Sequence, residues 1–215
     1  MRARILLAAA LVAVVAALLP SAAEARALRQ GMCGPDVFAL QVRLAKRSYL
    51  PPRYHAGCFD YRTTHAVIAF QGWVGFNRTG VAGWLTKKRL VLSVTPKPWS
   101  GKRKIRHIEV HKGKQIAILV GREGRVVRTI HVSTGALGYT TPNGRWHVYA
   151  KSPMSWSNIF HVWLPWASYV VGGVAFHSYP SVPGFPASHG CIRVPAPEAV
   201  FLYRWATLGT PVRIG

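Results

Sequence analysis

Apolar side chains recur at three- and four-residue spacing through much of residues 28–93, the repeat of helices that bury one face. Val37, Leu40 and Leu44 form one such stripe behind the breakers Gly31 and Gly34-Pro35, with Asp36 placed to cap it. Val67, Phe70 and Val74 form a second after the turn-like Pro51-Pro52, with Thr63 or Thr64 as its cap. Gly80 and Gly83 interrupt the chain before a third helical piece that carries Leu85 and Leu90. Three helices this short enclose a thin core, so a covalent staple is physically sensible among them.

The pattern then changes. Thr95-Pro96-Lys97-Pro98-Trp99-Ser100-Gly101, followed by basic residues, reads as a stiff linker over 94–104, because its prolines favour extended backbone. It divides a helical segment, 26–93, from a second segment, 105–215, as two modules that work independently. In the second segment short β-rich runs succeed one another: 105–110, 115–120, 125–133, 145–151, 160–165, 169–177 and 211–214. Gly121-Arg122-Glu123-Gly124 is the turn of a hairpin between two of them. A single helix begins at Pro197-Glu198, runs through Phe201 and Leu202, and stops at Gly209. Many short strands with one late helix predict a β-sandwich rather than a parallel nucleotide-binding sheet.

The start of the chain carries a different signal. Arg2 and Arg4 precede an apolar run from Ile5 to Leu19, and Ala23-Glu24-Ala25 follows in small-x-small order. This predicts an export signal over residues 1–25. The run is short for a membrane span, which takes about 20 residues, so no stable span is expected after cleavage. The mature protein is expected in the cell wall or periplasm, or secreted.

Charge sharpens the picture of partners. The chain has 28 Lys and Arg against 6 Asp and Glu, a net charge of +22. Nucleic acid is the usual partner of such a balance, but no nucleic-acid motif accompanies it, and an exported protein meets other polyanions. Phosphate-bearing wall polymers are the expected anionic partner. The basic runs at 87–89 and 102–106 read as solvated surface with that attraction as a secondary role.

Three cysteines in an exported chain suggest one bridge and one free thiol. Cys33 and Cys58 lie together in the helical segment, and their bridge would close a loop of about 25 residues, worth roughly 3 kcal/mol. Cys191 is left over, and it lies in Ser188-His189-Gly190-Cys191-Ile192-Arg193, downstream of His177-Ser178. A thiol becomes a strong nucleophile when a nearby imidazole removes its proton, and glycine lets backbone N–H groups approach a substrate carbonyl. This is equipment for acyl transfer through a thioester. His161, His177, His189 and Cys191 also offer nitrogen and sulfur ligands to zinc, but they lack paired metal-ligand spacing and acidic residues to orient them. No metal or cofactor is expected.

Ordered motifs now carry a resemblance. Gly-x-x-Gly-x-Asp-Val-x-x-Leu-Gln-x-x-Leu at 31–44, Phe59-Asp60, Thr63, Ala66-Val67, Phe70-Gln71 and Thr79-Gly80-Val81 resemble a three-helix peptidoglycan-binding domain. Lys114-Gln115, Ser133-Thr134-Gly135, Thr141-Pro142-Asn143-Gly144, His177, the 188–193 motif and Gly209-Thr210-Pro211-Val212 resemble a YkuD-type L,D-transpeptidase domain. The resemblance implies a small all-α three-helix peptidoglycan-binding module, then a mainly-β sandwich domain with one late helix and the cysteine in a cleft. It implies that Cys191 is the nucleophile, His177 the general base and acid, Ser178 the carbonyl that orients the imidazole, and His189 the second histidine. Gly190, with Cys191, is the expected source of oxyanion-binding N–H groups.

The implied reaction releases terminal D-Ala from a stem tetrapeptide and forms a 3→3 peptidoglycan cross-link through a cysteine thioester, with carbapenems as acylating inhibitors. The alternatives are an L,D-carboxypeptidase and a non-catalytic wall-binding protein. Arg193, Thr134, Tyr139 and Ser188 are the expected substrate contacts, Arg193 for a carboxylate. Trp146, Trp156, Trp163 and Trp166 fit sandwich core or cleft wall better than glycan contact. The sequence departs from the family pattern in a short loop between His177 and Ser188, in Arg193 where many members have Asn, and in Asn143 where Thr is usual. None of these removes a reactive group.

Overall fold

A computed structural model describes residues 26–101 and 104–215. The expected export signal and part of the basic run at 102–106 lie outside the described residues. Pro35 opens the first helix, α1 (Pro35–Lys46), behind Gly34, and Asp36 sits in its first turn, where a carboxylate suits the positive helix end. The cap is therefore Gly34 rather than Asp36. Asp60 caps α2 (Tyr61–Val74), its Oδ1 accepting the Thr63 N–H at 2.8 Å. Thr63 is thus the recipient of the cap and not its source. Gly83 precedes α3 (Trp84–Leu92), which buries Leu90 but leaves Leu85 62 % exposed. Cys33 and Cys58 are joined as a disulfide. Beside it the buried Gln41 amide donates to Cys58 O and Thr63 Oγ1 at 2.9 Å each and accepts the Gly57 N–H.

The second segment runs β1 (His107–His111), a 3₁₀ turn (Lys112–Lys114), β2 (Ile116–Val120), β3 (Val126–His131), β4 (Gly144–His147), β5 (Ala150–Ser157), β6 (Val162–Val171), β7 (Val174–Ser178), β8 (Ile192–Val194), α4 (Ala196–Trp205) and β9 (Pro211–Ile214). One sheet has the order β3-β2-β1-β9-β4 and the other β5-β6-β7-β8. Ile108, Val110, Leu119, Ile130, Phe176, Ile192 and Val212 fill the core they share with Ala199 and Leu202 of α4. This is the mainly-β architecture with a late helix that the strand pattern predicts.

Strand boundaries differ where a period of two is blind. Residues 145–151, which read as one strand, divide between the sheets: the Val148 N–H donates to Thr210 O, and the next N–H, of Tyr149, donates to Tyr169 O. In contrast, the expected break between 165 and 169 is absent, and β6 continues through Pro165 and a left-handed Trp166 (φ 59°).

The two segments are not independent bodies. Ile116, Ile118 and Val120 on the outer face of β2 are fully buried in one cluster with Leu44, Tyr49, Leu50, Val67 and Phe70 of the helical segment. The Ser48 carbonyl accepts the Thr129 N–H at 2.7 Å, covering the exposed edge of β3. Lys114 Nζ donates to Trp73 O at 2.8 Å. Glu198 of α4 pairs with Arg128 at 3.0 Å and with Arg62 of α2 at 3.2 Å. Gly72 permits this approach, since a Cβ there would lie 2.3 Å from Lys114 O. The linker packs down as well: Trp99 and Ser100 donate their N–H groups to the Glu109 carboxylate, and the Trp99 ring centroid lies 3.7 Å from that of His111. Its prolines do not hold two bodies apart.

Candidate active site

Parallel pairing of β7 with β8 sets His177 opposite Arg193, and Cys191 stands one residue before β8 begins. A cleft of about 610 Å³ opens there, lined by His177, Tyr179, Ser188, His189, Cys191 and Arg193 and walled by Phe160, Val162 and Tyr169. Among the described residues no acidic side chain lines it. Cys191 is a free, partly exposed thiol. Burial pushes its pKa up, against the smaller opposing pulls of a backbone hydrogen bond at Ala175 and the Arg193 charge.

His177 is 3 % exposed, and its Nδ1 meets the Ser178 carbonyl at 2.8 Å. A carbonyl only accepts, so Nδ1 carries the proton and Nε2 of the neutral ring is left as a base. Burial lowers the His177 pKa to about 4, with Arg193 adding to that fall and the Ser178 carbonyl opposing it. The resting pair is therefore a neutral thiol with a neutral imidazole, not a thiolate with an imidazolium.

The loop carrying Cys191 is held from beneath. Gln115, buried in a left-handed conformation (φ 52°), accepts the Thr134 N–H at 2.8 Å and donates to Thr134 Oγ1 at 2.9 Å. The Thr134 carbonyl in turn accepts the N–H groups of Ala187 and Ser188. Thr134, expected at the substrate, is thus buried with its polar atoms engaged, and it braces the loop instead. Thr141 Oγ1 accepts the Gly135 N–H at 2.8 Å and donates to Gly190 O at 2.7 Å. Gly135 is required here, because a Cβ would lie 1.9 Å from Tyr139 O.

Around the nucleophile, Ser188 Oγ donates to Cys191 O and accepts the Gly190 N–H at 3.2 Å. Gly190 has φ 109°, in the region that favours glycine. Its N–H must leave Ser188 Oγ before it can serve an oxyanion. Tyr139 meets the exposed His189 ring edge-on at 4.7 Å, and Phe160 stacks on the same ring at 4.7 Å. The Arg193 guanidinium lies 4.1 Å from the Tyr179 ring centroid, and among the described residues no carboxylate pairs with it. Of the four candidate zinc ligands, three line the cleft, whereas His161 packs against Trp156.

The sequence reading missed Tyr179, Phe160 and the bracing role of Gln115 and Thr141. Only Tyr179 had a usable signal, as an aromatic two residues beyond His177. Trp146 and Trp166 pack against the core as expected. Trp156 and Trp163 do not; they are 43 % and 56 % exposed.

The family model described as the L,D-transpeptidase catalytic domain matches residues 105–214. The chain belongs to that family. Its helical segment matches the peptidoglycan binding domain model over residues 33–90. A solved L,D-transpeptidase from Xylanimonas cellulosilytica is 33% identical, with 88% of this chain and 98% of that chain covered and a TM-score of 0.80. Another, from Stackebrandtia nassauensis, is 24% identical over 87% of this chain and 94% of that chain, with a TM-score of 0.53, a likeness of fold. No curated protein sequence matches the chain. Among the described residues, no helix of this L,D-transpeptidase family member is long and apolar enough to cross a membrane.

Proposed function

We propose that this chain is an exported L,D-transpeptidase that forms 3→3 peptidoglycan cross-links through an acyl thioester on Cys191. The observation that carries the reading is a free thiol sharing one cleft with a buried histidine whose Nδ1 is tied to the Ser178 carbonyl. Peptidoglycan is the partner, through stem peptide at the cleft and wall binding by residues 26–93. The basic surface adds attraction to anionic wall polymers, and residues 1–25 direct export.

In the first half-reaction Sγ attacks the carbonyl of the third stem residue as His177 Nε2 removes the thiol proton. Because the resting pair is uncharged, deprotonation and attack are coupled. The S–C bond forms and the carbonyl oxygen becomes an oxyanion, met by the Cys191 N–H and by the Gly190 N–H once it leaves Ser188. Collapse breaks the C–N bond, and His177 returns the proton to the departing D-Ala nitrogen. Arg193, free of carboxylate partners among the described residues, holds a donor carboxylate. In the second half-reaction a side-chain amine of another stem attacks the thioester, its proton passing through His177 to the departing sulfur. Water in place of that amine gives the carboxypeptidase product.

Incubating the mature protein with disaccharide-tetrapeptide and following masses tests the reading. Loss of D-Ala with a cross-linked dimer is expected. Bound but intact tetrapeptide would mean a non-catalytic wall-binding protein.

A further inference from the structure

Beyond the cleft, on the far side of Tyr179, a second and shallower groove of about 780 Å³ runs toward the helical segment. Trp163 and Pro165 of β6, Tyr179 and Pro180 after β7, and Tyr61 of α2 form its walls, with Ser181 at the rim. Tyr179 belongs to both depressions, so a ligand leaving the Cys191 cleft past this ring enters the groove. We propose that this groove binds the glycan strand of the wall polymer, taking N-acetylated pyranose rings while the attached stem lies in the cleft. The inference rests on the wall substrate proposed above.

Three observations carry it. First, among the described residues no charged side chain lines the groove, so it offers nothing to the carboxylates and amines of a second stem peptide. A pyranose instead presents an apolar C–H face and a hydroxyl rim, which suit aromatic rings and the hydroxyls of Tyr61, Tyr179 and Ser181. Second, Trp163 is 56 % exposed and meets the 43 % exposed Trp156 edge-on at 5.1 Å, an apolar surface that the sandwich core leaves unused. Third, the walls are fixed before a ligand arrives. Tyr61 opens α2 directly after the Asp60 cap, and the neighbouring Arg62 ties the helix to Glu198 of α4 at 3.2 Å. A groove built across this contact loses little freedom on binding.

The test uses the mature chain with two probes, a peptide-free tetrasaccharide of alternating N-acetylglucosamine and N-acetylmuramic acid, and tetrapeptide donors with and without the attached glycan. Trp163→Ala and Tyr61→Ala each raise the tetrasaccharide dissociation constant and the KM of the glycan-linked donor by about tenfold, as lost stacking of that size implies. The kcat/KM for free tetrapeptide stays within about twofold of the parent value. Ser181→Trp, which fills the groove from an exposed rim position and removes no packing, gives the same pattern. Absence of tetrasaccharide binding to the parent protein overturns the proposal, as does an equal loss on linked and free donors, which would make the groove a peptide subsite. The calorimetric titration needs no turnover. If no donor reacts, selective loss of tetrasaccharide binding in the variants still supports the groove while the transferase reading fails.

Discussion

Removing residues 26–93 uncovers the outer face of β2, and the cost follows from the burial there. Ile116, Ile118 and Val120 are 0 % exposed and belong to the cluster built by the helical side chains. Returning three such side chains to water costs about 5–9 kcal/mol at roughly 1.5–3 kcal/mol each. A domain of this size has about 5–15 kcal/mol in all, so the loss approaches the whole. The Thr129 N–H also loses its Ser48 acceptor at the edge of β3, and Glu198 loses one of its two arginines. Equilibrium urea unfolding and turnover of free tetrapeptide, compared between residues 26–215 and 94–215, form the assay. The shortened chain is expected to aggregate or to unfold without added denaturant, taking turnover with it even though no cleft residue has been deleted. Replacing all three exposed side chains by Thr is expected to recover solubility. A shortened chain with an unchanged urea midpoint and full turnover would refute the shared-core argument and restore the picture of two independent modules.

Four further outcomes are expected. The acidic limb of kcat/KM lies at about pH 4, where His177 takes up its proton, and a midpoint near 6.5 would contradict the burial argument. Burial also depresses His65 to about 3 and His131 to about 4. The unfolded chain therefore binds more protons than the folded one as pH falls from about 6.5 to about 4, and the urea midpoint decreases across that window. Gly135→Ala forces a Cβ to within 1.9 Å of Tyr139 O; the clash costs roughly 1–3 kcal/mol and turnover falls with the lost loop geometry, both read from urea unfolding and steady-state rates. Arg193→Gln raises the donor KM about tenfold through loss of one charge-assisted hydrogen bond; an unchanged KM would confine Arg193 to its stack on Tyr179.

Local signals in the sequence reached a long way. The stripe of α1 is legible because that helix buries one face on its neighbours, whereas α2 is buried all round from His65 to Gly72 and its stripe marks only part of what it covers; the caps fall on Gly34 and Asp60. The thiol and its histidine are legible because both sit in short segments dense in reactive groups. Features decided by distant contacts are not. Nothing at Val148-Tyr149 announces that the chain crosses between sheets, since alternation continues through the crossing. Thr134 reads as a substrate contact, yet the amide of Gln115 claims it from the turn before β2. The all-buried pattern of β2 shows that both faces are covered but not that the helical segment supplies one cover. Trp163 reads as sandwich core or cleft wall, whereas its face of β6 opens outward beside Tyr61.

The account depends on an acyl group residing on one sulfur. Acid-quenching the mature protein during turnover of disaccharide-tetrapeptide, followed by peptide mapping by mass spectrometry, tests this most directly. The result expected is the donor tripeptide in thioester linkage to Cys191, formed with release of D-Ala and absent from Cys191→Ala, which is inactive. Release of D-Ala at the parent rate by Cys191→Ala, or an acyl group mapped to any other residue, would contradict it.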